Sequence, residues 1–235
     1  MRALIVAGGK SSRLYPLTIS VPKSLLPVNG KPVISHILDC IEKAGGLEPV
    51  LCTTKNLRPQ FENALGERVN YSVSPESYDT SGRILAARKL VGTDRYFLVY
   101  YGDILASPSL YLFDVLQEHI KNAAVCTLVT CNRKELELGV VRMKEQRWPN
   151  SCGIVTKFIE RPRLSDISDV TVNIGIAVCS SQVFDFLKPT ANFFRDTLPL
   201  LLKKHKKVIS YETDFYLDIG SFTALEKAQS LFTRA

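Results

Sequence analysis

The residues best suited to chemistry in this sequence lie within its first 23 positions. An apolar run at 3–7 (ALIVA) passes directly into Gly8 and Gly9, and Arg13 and Lys23 follow. Backbone amides of glycines that follow a buried strand can approach a ligand closely, and successive N–H groups in such a turn form a concave anion site. Arg13 can bind phosphate oxygens through its planar fork, and Lys23 adds a point charge. The pattern predicts a phosphate site; a tight turn with two solvated cations is the alternative.

A carboxylate is expected to face the same site. Residues 96–101 (YFLVYY) have the pattern of a buried strand, and Gly102 and Asp103 follow it. In an open parallel sheet the carboxyl ends of the strands border one crevice, so Asp103 would face the phosphate loop. Phosphates would repel a lone carboxylate unless a divalent cation lay between them, and Mg²⁺ is usually held by carboxylates plus phosphate oxygens. Asp103 is therefore a predicted metal ligand, with a capping role in a loop as the alternative.

These groups need a fold that brings strand ends together. Apolar runs predict strands at 3–7, 49–53, 69–74, 95–102, 123–130, 139–142, 153–158, 170–179 and 207–212. Helical spacing and capping residues predict helices at 32–44, 59–65, 81–91, 107–122, 181–187, 196–204 and 221–231, with Ser81 and Ser221 as caps. The predicted fold class is α/β and Rossmann-like: a mostly parallel central sheet with helices on both faces and a small mixed or antiparallel extension.

Composition narrows the class of protein. The chain has 235 residues, 46% hydrophobic and 23% charged, which is ordinary for a globular protein. No apolar run is long enough to span a membrane and the start lacks a signal-peptide pattern, so a cytoplasmic protein with no membrane partner is expected. The net charge of +7 suits nucleotides, whereas the dense basic cluster at 203–207 falls at a helix end and does not indicate nucleic-acid binding. Six cysteines without a C-x-x-C pair predict buried thiols rather than disulfides or zinc.

His119 is a titratable residue within a predicted helix. His119 falls on the inner side of the predicted helix 107–122. No second His or Cys lies at the spacing of a metal site. We therefore predict His119 to be a helix-surface residue and not a ligand.

The opening motifs resemble those of the sugar nucleotidyltransferases, also called NDP-sugar pyrophosphorylases. The family signature runs Gly-Gly-x-Gly-Thr-Arg-Leu, then Pro-Leu-Thr, then Pro-Lys. Here it is matched by 8–14 (GGKSSRL), 16–18 (PLT) and 22–23 (PK), and 26–32 (LPVNGKP) continues the match. Ser11 and Ser12 replace the family's Gly-Thr, so this loop must accept a Cβ at position 11. The loop alone also resembles that of molybdenum-cofactor guanylyltransferases, which lack the continuation.

The resemblance implies the positions of the remaining site residues. Asp103 matches the family's first metal ligand, and the Asp-x-Gly at 218–220 matches its second, Asp218. The implied nucleotide-binding residues are Ala7, Gly8, Gly9, Ser11, Ser12 and, in the base-proximal stretch 79–85 (DTSGRIL), Gly82. The implied substrate-binding residues are Gly139, Glu160, Arg161 and Asn173, with Arg161 standing where the family has lysine.

The implied reaction joins a nucleoside triphosphate to a sugar 1-phosphate, giving an NDP-sugar and pyrophosphate. Arg13, Lys23 and Asp103 would be the catalytic residues and Mg²⁺ the cofactor. The resemblance covers nearly the whole chain as one domain, 1–235, with a nucleotide-binding half at about 1–110 and a sugar-phosphate half at about 111–235. It leaves open the sugar, the nucleobase and whether the chain forms a homo-oligomer.

Two other functions remain open at this point. A cytidylyltransferase acting on phosphocholine or another phospho-alcohol shares the opening signature, although the stretches 79–85 and 173–175 favour a sugar. A catalytically silent relative that binds nucleotide sugars for regulation would typically lack a metal carboxylate or the loop arginine. Arg13, Lys23, Asp103 and Asp218 are all present.

Overall fold

The computed structural model describes residues 1–9, 11–132, 140–144, 152–160 and 171–232. The strands are β1 (Arg2–Val6), β2 (Pro27–Val28), β3 (Lys31–Pro32), β4 (Glu48–Thr54), β5 (Asn70–Ser74), β6 (Tyr96–Tyr101), β7 (Ile104–Ala106), β8 (Cys126–Asn132), β9 (Val140–Lys144), β10 (Cys152–Ile159), β11 (Thr171–Ser180), β12 (Val208–Thr213) and β13 (Tyr216–Asp218). The helices are α1 (Val33–Ala44), α2 (Arg58–Leu65), α3 (Thr80–Ala86), α4 (Arg88–Val91), α5 (Leu112–Lys121), α6 (Leu198–Lys203) and α7 (Phe222–Phe232).

Nine of these strands form one sheet in the order β5-β4-β1-β6-β11-β8-β12-β10-β9. The first four are parallel, and β11 and β10 run opposite to the rest. β9 pairs with β11 as well as with β10, so the far end of the sheet turns back on itself. The predicted class, a mostly parallel sheet with a mixed extension, is confirmed.

The sheet is buried on both faces, because successive side chains of its strands point alternately into two hydrophobic cores. In β1, Ala3 and Ile5 pack into the core that includes α1, whereas Leu4 and Val6 pack into the core that includes α3 and α6. A strand covered on both sides reads as a continuous apolar run. In α1, apolar residues at helical spacing bury one face, and Gly45 follows the helix with φ of 68°. No helix in the described parts of the chain is both long and apolar enough to cross a membrane.

Several predicted helices differ in their boundaries. The helix predicted at 81–91 is two helices, α3 and α4, and its cap is Asp79, whose side chain accepts from the Thr80 N–H. Ser81 is instead buried, with its hydroxyl 2.7 Å from Thr197 Oγ1. The helix predicted from 107 begins at Leu112, and the turn at Ser181–Phe186 is 3₁₀ rather than α. Ser221 is confirmed as the α7 cap, since its hydroxyl accepts from Ala224 N–H at 3.2 Å.

The prediction that His119 lies on the helix surface is wrong. Its side chain is fully buried, with Nδ1 2.8 Å from the Thr127 hydroxyl on β8 and the ring edge-on to Tyr96. Nε2 is buried without a partner among the described residues. Burial lowers the pKa of His119 from 6.5 to about 4 because the charged form loses its hydration. His119 is a neutral core residue.

His119 should therefore make folding sensitive to acid. Between pH 6.5 and about 4 the unfolded chain binds a proton at this position that the folded protein does not, so stability falls as pH falls through that window. Across the whole window, the free energy of unfolding should fall by an amount on the order of 3 kcal/mol. His119→Asn should flatten the pH dependence of the unfolding free energy over this window, measured by urea denaturation. The control is His205→Asn, at an exposed position with φ of 53° that asparagine tolerates. Equal slopes for His119→Asn and the parent protein would contradict this account.

Candidate active site

The glycine-containing loop begins where three parallel strands end. The N–H of Ala7, directly after β1, donates to the carbonyl of Cys52 in β4 at 3.0 Å. On the other side the N–H of Gly102, directly after β6, donates to the carbonyl of Val6 at 3.0 Å. The chain therefore leaves β1 held between its two neighbours, at the carboxyl edge where open α/β sheets bind ligands.

Ser11 shows how this loop accepts a side chain in place of the usual glycine. Its φ of 49° and ψ of 35° lie in the left-handed region, which glycine adopts without strain. The Thr18 hydroxyl donates to the Ser11 carbonyl at 2.8 Å and helps to hold the turn. Residues Ser12–Leu14 then form a 3₁₀ turn with Leu14 buried beneath it. The packing of Leu14 fixes the base of the neighbouring Arg13.

A cavity of about 250 Å³ is lined by most of the predicted site residues. Its walls include Ala7, Gly8, Gly9, Ser11, Ser12, Arg13, Lys23 and Asp103. A second cavity, of about 230 Å³, shares Gly8, Gly9, Ser11 and Lys23 and extends towards Glu76. The predicted loop and the predicted carboxylate thus border one crevice.

The antiparallel pairing of two short strands outside the main sheet brings Asp103 and Asp218 together. β7 follows Asp103 directly and pairs with β13, with Asp218 opposite Ile104. The N–H of Ile219 donates to the carbonyl of Asp103 at 2.9 Å. The two residues are 115 positions apart in the sequence but adjacent across this two-stranded pairing.

Lys23 lies against both carboxylates, and Arg13 lies near that of Asp218. Lys23 Nζ forms an ion pair with Asp103 Oδ2 and is 3.9 Å from Asp218 Oδ1. An ideal Cβ on Gly220 would lie 3.0 Å from Asp218 Oδ1 and 3.1 Å from Arg13 Nη2, so that guanidinium also lies beside Asp218. We call Arg13, Lys23, Asp103 and Asp218 the charge cluster.

The charge cluster has the donor set that Mg²⁺ prefers. It offers two hard carboxylates at one place, and none of the described residues forms a group of three or more His, Cys, Asp or Glu that could hold an ion by itself. Mg²⁺ is commonly held by one or two carboxylates, with waters and substrate phosphates completing its shell. The residues present therefore fit an ion that arrives with a phosphate ligand.

Of the predicted sugar-phosphate residues, Asn173 lies on β11 and Glu160 lies directly after β10. β11 pairs with β6 at Ile176 opposite Tyr100, and the pairing of β11 with β8 shifts between Asn173 and Ile176. At this bulge Asn173 is buried, and its Oδ1 accepts from the Gly175 N–H at 3.3 Å. Glu160 follows β10 and is partly exposed. Gly139 and Arg161 lie outside the described residues.

Gly82 lies at a tight contact with the backbone of Pro189. An ideal Cβ at this position would be 2.2 Å from the Pro189 carbonyl oxygen, so no side chain fits. The lack of a Cβ is therefore explained by packing of α3 against the chain near Pro189. Its role in nucleotide binding stays a prediction.

Two arginines near the site were missed in the sequence. Arg83 is buried, and its Nη2 donates to the carbonyl of Gly8 at 3.1 Å. Arg195 is 3.8 Å from Asp79 Oδ2, and its pKa is raised by Asp196, with smaller contributions from Asp79 and Glu160. The position of a basic residue directly between Gly82 and the apolar Ile84 and Leu85 was the signal in the sequence for Arg83.

Comparison with known proteins decides the family. The family model described as "Nucleotidyl transferase" matches residues 2–234. The chain belongs to this nucleotidyl transferase family. The resemblance to sugar nucleotidyltransferases predicted from the opening motifs is thereby confirmed.

The similar curated proteins are larger than this nucleotidyl transferase chain. It is 32% identical over 233 residues to "Probable mannose-1-phosphate guanylyltransferase 3" of Oryza sativa subsp. japonica, with 94% of this chain and 61% of that protein covered. It is 28% identical to "Mannose-1-phosphate guanyltransferase" of Saccharomyces cerevisiae, with the same coverage. The chain thus spans about three-fifths of the length of these relatives.

Solved structures share the fold across the whole chain. An apo UDP-glucose pyrophosphorylase has a TM-score of 0.82 at 21% identity, covering 99% of this chain and 98% of that one. A putative glucose-1-phosphate thymidylyltransferase from Bacillus anthracis has a TM-score of 0.85 at 22% identity, covering 98% and 94%. These likenesses confirm the fold.

In this nucleotidyl transferase, Lys23 and a metal ion should compete for the same carboxylates. Lys23→Met removes a cation that contacts Asp103 and lies 3.9 Å from Asp218. The Mn²⁺ affinity of the protein without nucleotide, measured by electron paramagnetic resonance, should rise at least about tenfold. The reason is that repulsion between the Lys23 ammonium and the metal ion costs more than about 1.4 kcal/mol of binding free energy. Affinity for a nucleoside triphosphate should fall in the same variant.

The matched control is Lys31→Met, which removes a lysine paired with Asp39 on the surface. Its Mn²⁺ affinity should equal that of the parent protein. Unchanged or weaker Mn²⁺ binding in Lys23→Met would show that the ammonium does not oppose metal binding.

Proposed function

We propose that this protein transfers a nucleotidyl group from a nucleoside triphosphate to a sugar 1-phosphate, releasing pyrophosphate. The observation that carries the proposal is the charge cluster, in which two cations and two carboxylates border the loop after β1. A triphosphate with its metal ion needs both kinds of group at one place. The mannose-1-phosphate guanylyltransferases among the relatives support the same reaction.

The residues of the chain would act by positioning and charge neutralisation. The sugar phosphate oxygen would attack the α-phosphorus in line with the departing pyrophosphate, so no covalent protein intermediate is needed. Backbone N–H groups of the loop at Gly8 and Gly9 would donate to phosphate oxygens. Arg13 would bind the leaving pyrophosphate through its planar fork, and Lys23 would neutralise the phosphates near the reacting centre.

Asp103 and Asp218 would hold Mg²⁺ together with phosphate oxygens of the nucleotide. When bound there, the ion would hold the triphosphate in a reactive shape and offset charge in the transition state. Lys23 would then exchange its carboxylate partners for phosphate oxygens. This exchange explains why one lysine contacts both carboxylates and also lines the cavity.

The sugar phosphate would enter from the side of β10 and β11. Glu160 would accept hydrogen bonds from sugar hydroxyls, and Asn173 would orient the ring from the bulge in β11. Arg161 would neutralise the attacking phosphate and Gly139 would line the same half. Gly82 would support the side of the site that lies next to the nucleobase.

A cytoplasmic location remains the expectation.

GTP and mannose 1-phosphate are the first substrate pair to test, because they follow from the names of the relatives with 28–32% identity. Purified protein should release pyrophosphate with at least one pair from a panel of triphosphates and sugar 1-phosphates, measured by a coupled assay. The panel should include phosphocholine with CTP. Release only with CTP and phosphocholine would indicate a cytidylyltransferase. No release from any pair, with intact folding, would favour the silent regulatory alternative and contradict the proposed function.

A further inference from the structure

Arg83 is a buried cation at the edge of the loop that lines both cavities. Only 6% of its surface is exposed. Its Nη2 donates to the Gly8 carbonyl at 3.1 Å, and its Nη1 donates to the Ser74 hydroxyl at 3.2 Å. Its guanidinium lies directly against the Gly8 backbone, since an ideal Cβ there would be 2.7 Å from Arg83 Cζ. Arg83 thus connects α3 to the carboxyl ends of β1 and β5.

This cation has no close counter-ion in the described part of the chain. Burial lowers the pKa of Arg83, and the more distant charges of Glu76 and Asp79 act in the opposite sense. Neither carboxylate comes within the 4.0 Å of an ion pair. Arginine starts from a pKa above about 12, so the group stays charged at neutral pH. Removing an unpaired charge from water is unfavourable. The burial of the Arg83 guanidinium beneath the loop therefore has a cost that its two hydrogen bonds only partly offset.

The hydrogen bond to the Gly8 carbonyl also sets the direction of the next amide. The peptide bond between Gly8 and Gly9 is trans and planar, so the Gly9 N–H points away from the Gly8 carbonyl. Because that carbonyl faces Arg83, the N–H faces the opposite side of the loop. Gly9 is exposed and lines the cavity, and its N–H has no acceptor among the described residues. A donor is therefore directed to where an anionic ligand would lie.

On the basis of the proposed function, we propose that Arg83 is a positioning residue for the phosphates of the nucleotide. It orients the Gly8–Gly9 peptide so that the Gly9 N–H donates to a phosphate oxygen. It also polarises that peptide, because a hydrogen bond from a cation to the carbonyl strengthens the donor at the other end. Its charge beneath the loop attracts the ligand more strongly as the number of phosphates increases.

The test compares nucleotide affinities in the absence of sugar phosphate, by isothermal titration calorimetry with magnesium present. The ligands are GTP, GDP and GMP, or the corresponding series of whichever base the substrate panel selects. Arg83→Met should weaken triphosphate binding at least about tenfold, the size expected for a charge-assisted hydrogen bond, with smaller losses for the diphosphate and the monophosphate. Arg83→Lys keeps the charge but not the fork, and should bind the triphosphate with an affinity between those of the parent and Arg83→Met.

The matched control is Arg88→Met on α4, whose side chain is 58% exposed and lies 3.7 Å from Asp185. It should bind every ligand as the parent protein does. An equal loss for all three nucleotides in Arg83→Met would show that Arg83 acts through the base or through general stability, and would overturn the proposal. Unchanged triphosphate affinity would overturn it too.

Two further outcomes separate this inference from the proposed function. If the parent protein binds no triphosphate, the proposed function fails and the role of Arg83 fails with it. If the parent protein binds the triphosphate and only the predicted Arg83 effect is missing, the role of Arg83 is contradicted and the proposed function is not affected. Where Arg83→Met does not fold by circular dichroism, Arg83→Lys decides: a loss of affinity that is largest for the triphosphate supports the proposal, and parental binding or an equal loss for all three nucleotides contradicts it.

Discussion

The ion pairing between Lys23 and two aspartates determines how this site is organised. Asp103 and Asp218 are held side by side by the antiparallel pairing of β7 with β13, and such close carboxylates would repel each other without a cation between them. Lys23 provides that cation from the loop that follows Arg13. The same arrangement places groups of both signs where the proposed function needs them for a metal ion and phosphates.

Local patterns predicted the sheet strands and the opening loop, because β1 and β6 are buried on both faces and therefore read as continuous apolar runs. They could not predict which strands are neighbours. β11 inserts antiparallel between β6 and β8, a pairing between distant segments that no local pattern specifies. No local pattern showed how Asp103 and Asp218 would meet, because this depends on the pairing of β7 with β13.

Buried polar residues were the hardest to predict, because burial depends on partners from other elements. His119 could enter the core because Thr127 on β8 offers a hydrogen bond, and Arg83 because Gly8 and Ser74 accept from it. In each case the residue type alone indicated the surface. Ser81 was predicted as a helix cap but bonds Thr197, since Asp79 takes the capping position.

Binding of a metal ion by Asp103 and Asp218 is tested most directly by a crystal structure with Mn²⁺ and a non-hydrolysable nucleoside triphosphate. Anomalous scattering would locate the manganese. We expect one peak in the charge cluster, about 2.1–2.3 Å from an oxygen of Asp103 and of Asp218, with a phosphate oxygen completing the contact. The Lys23 ammonium should then contact phosphate instead of Asp103. Manganese located away from both aspartates, or a Lys23 ammonium still paired with Asp103 beside the bound nucleotide, would contradict the account.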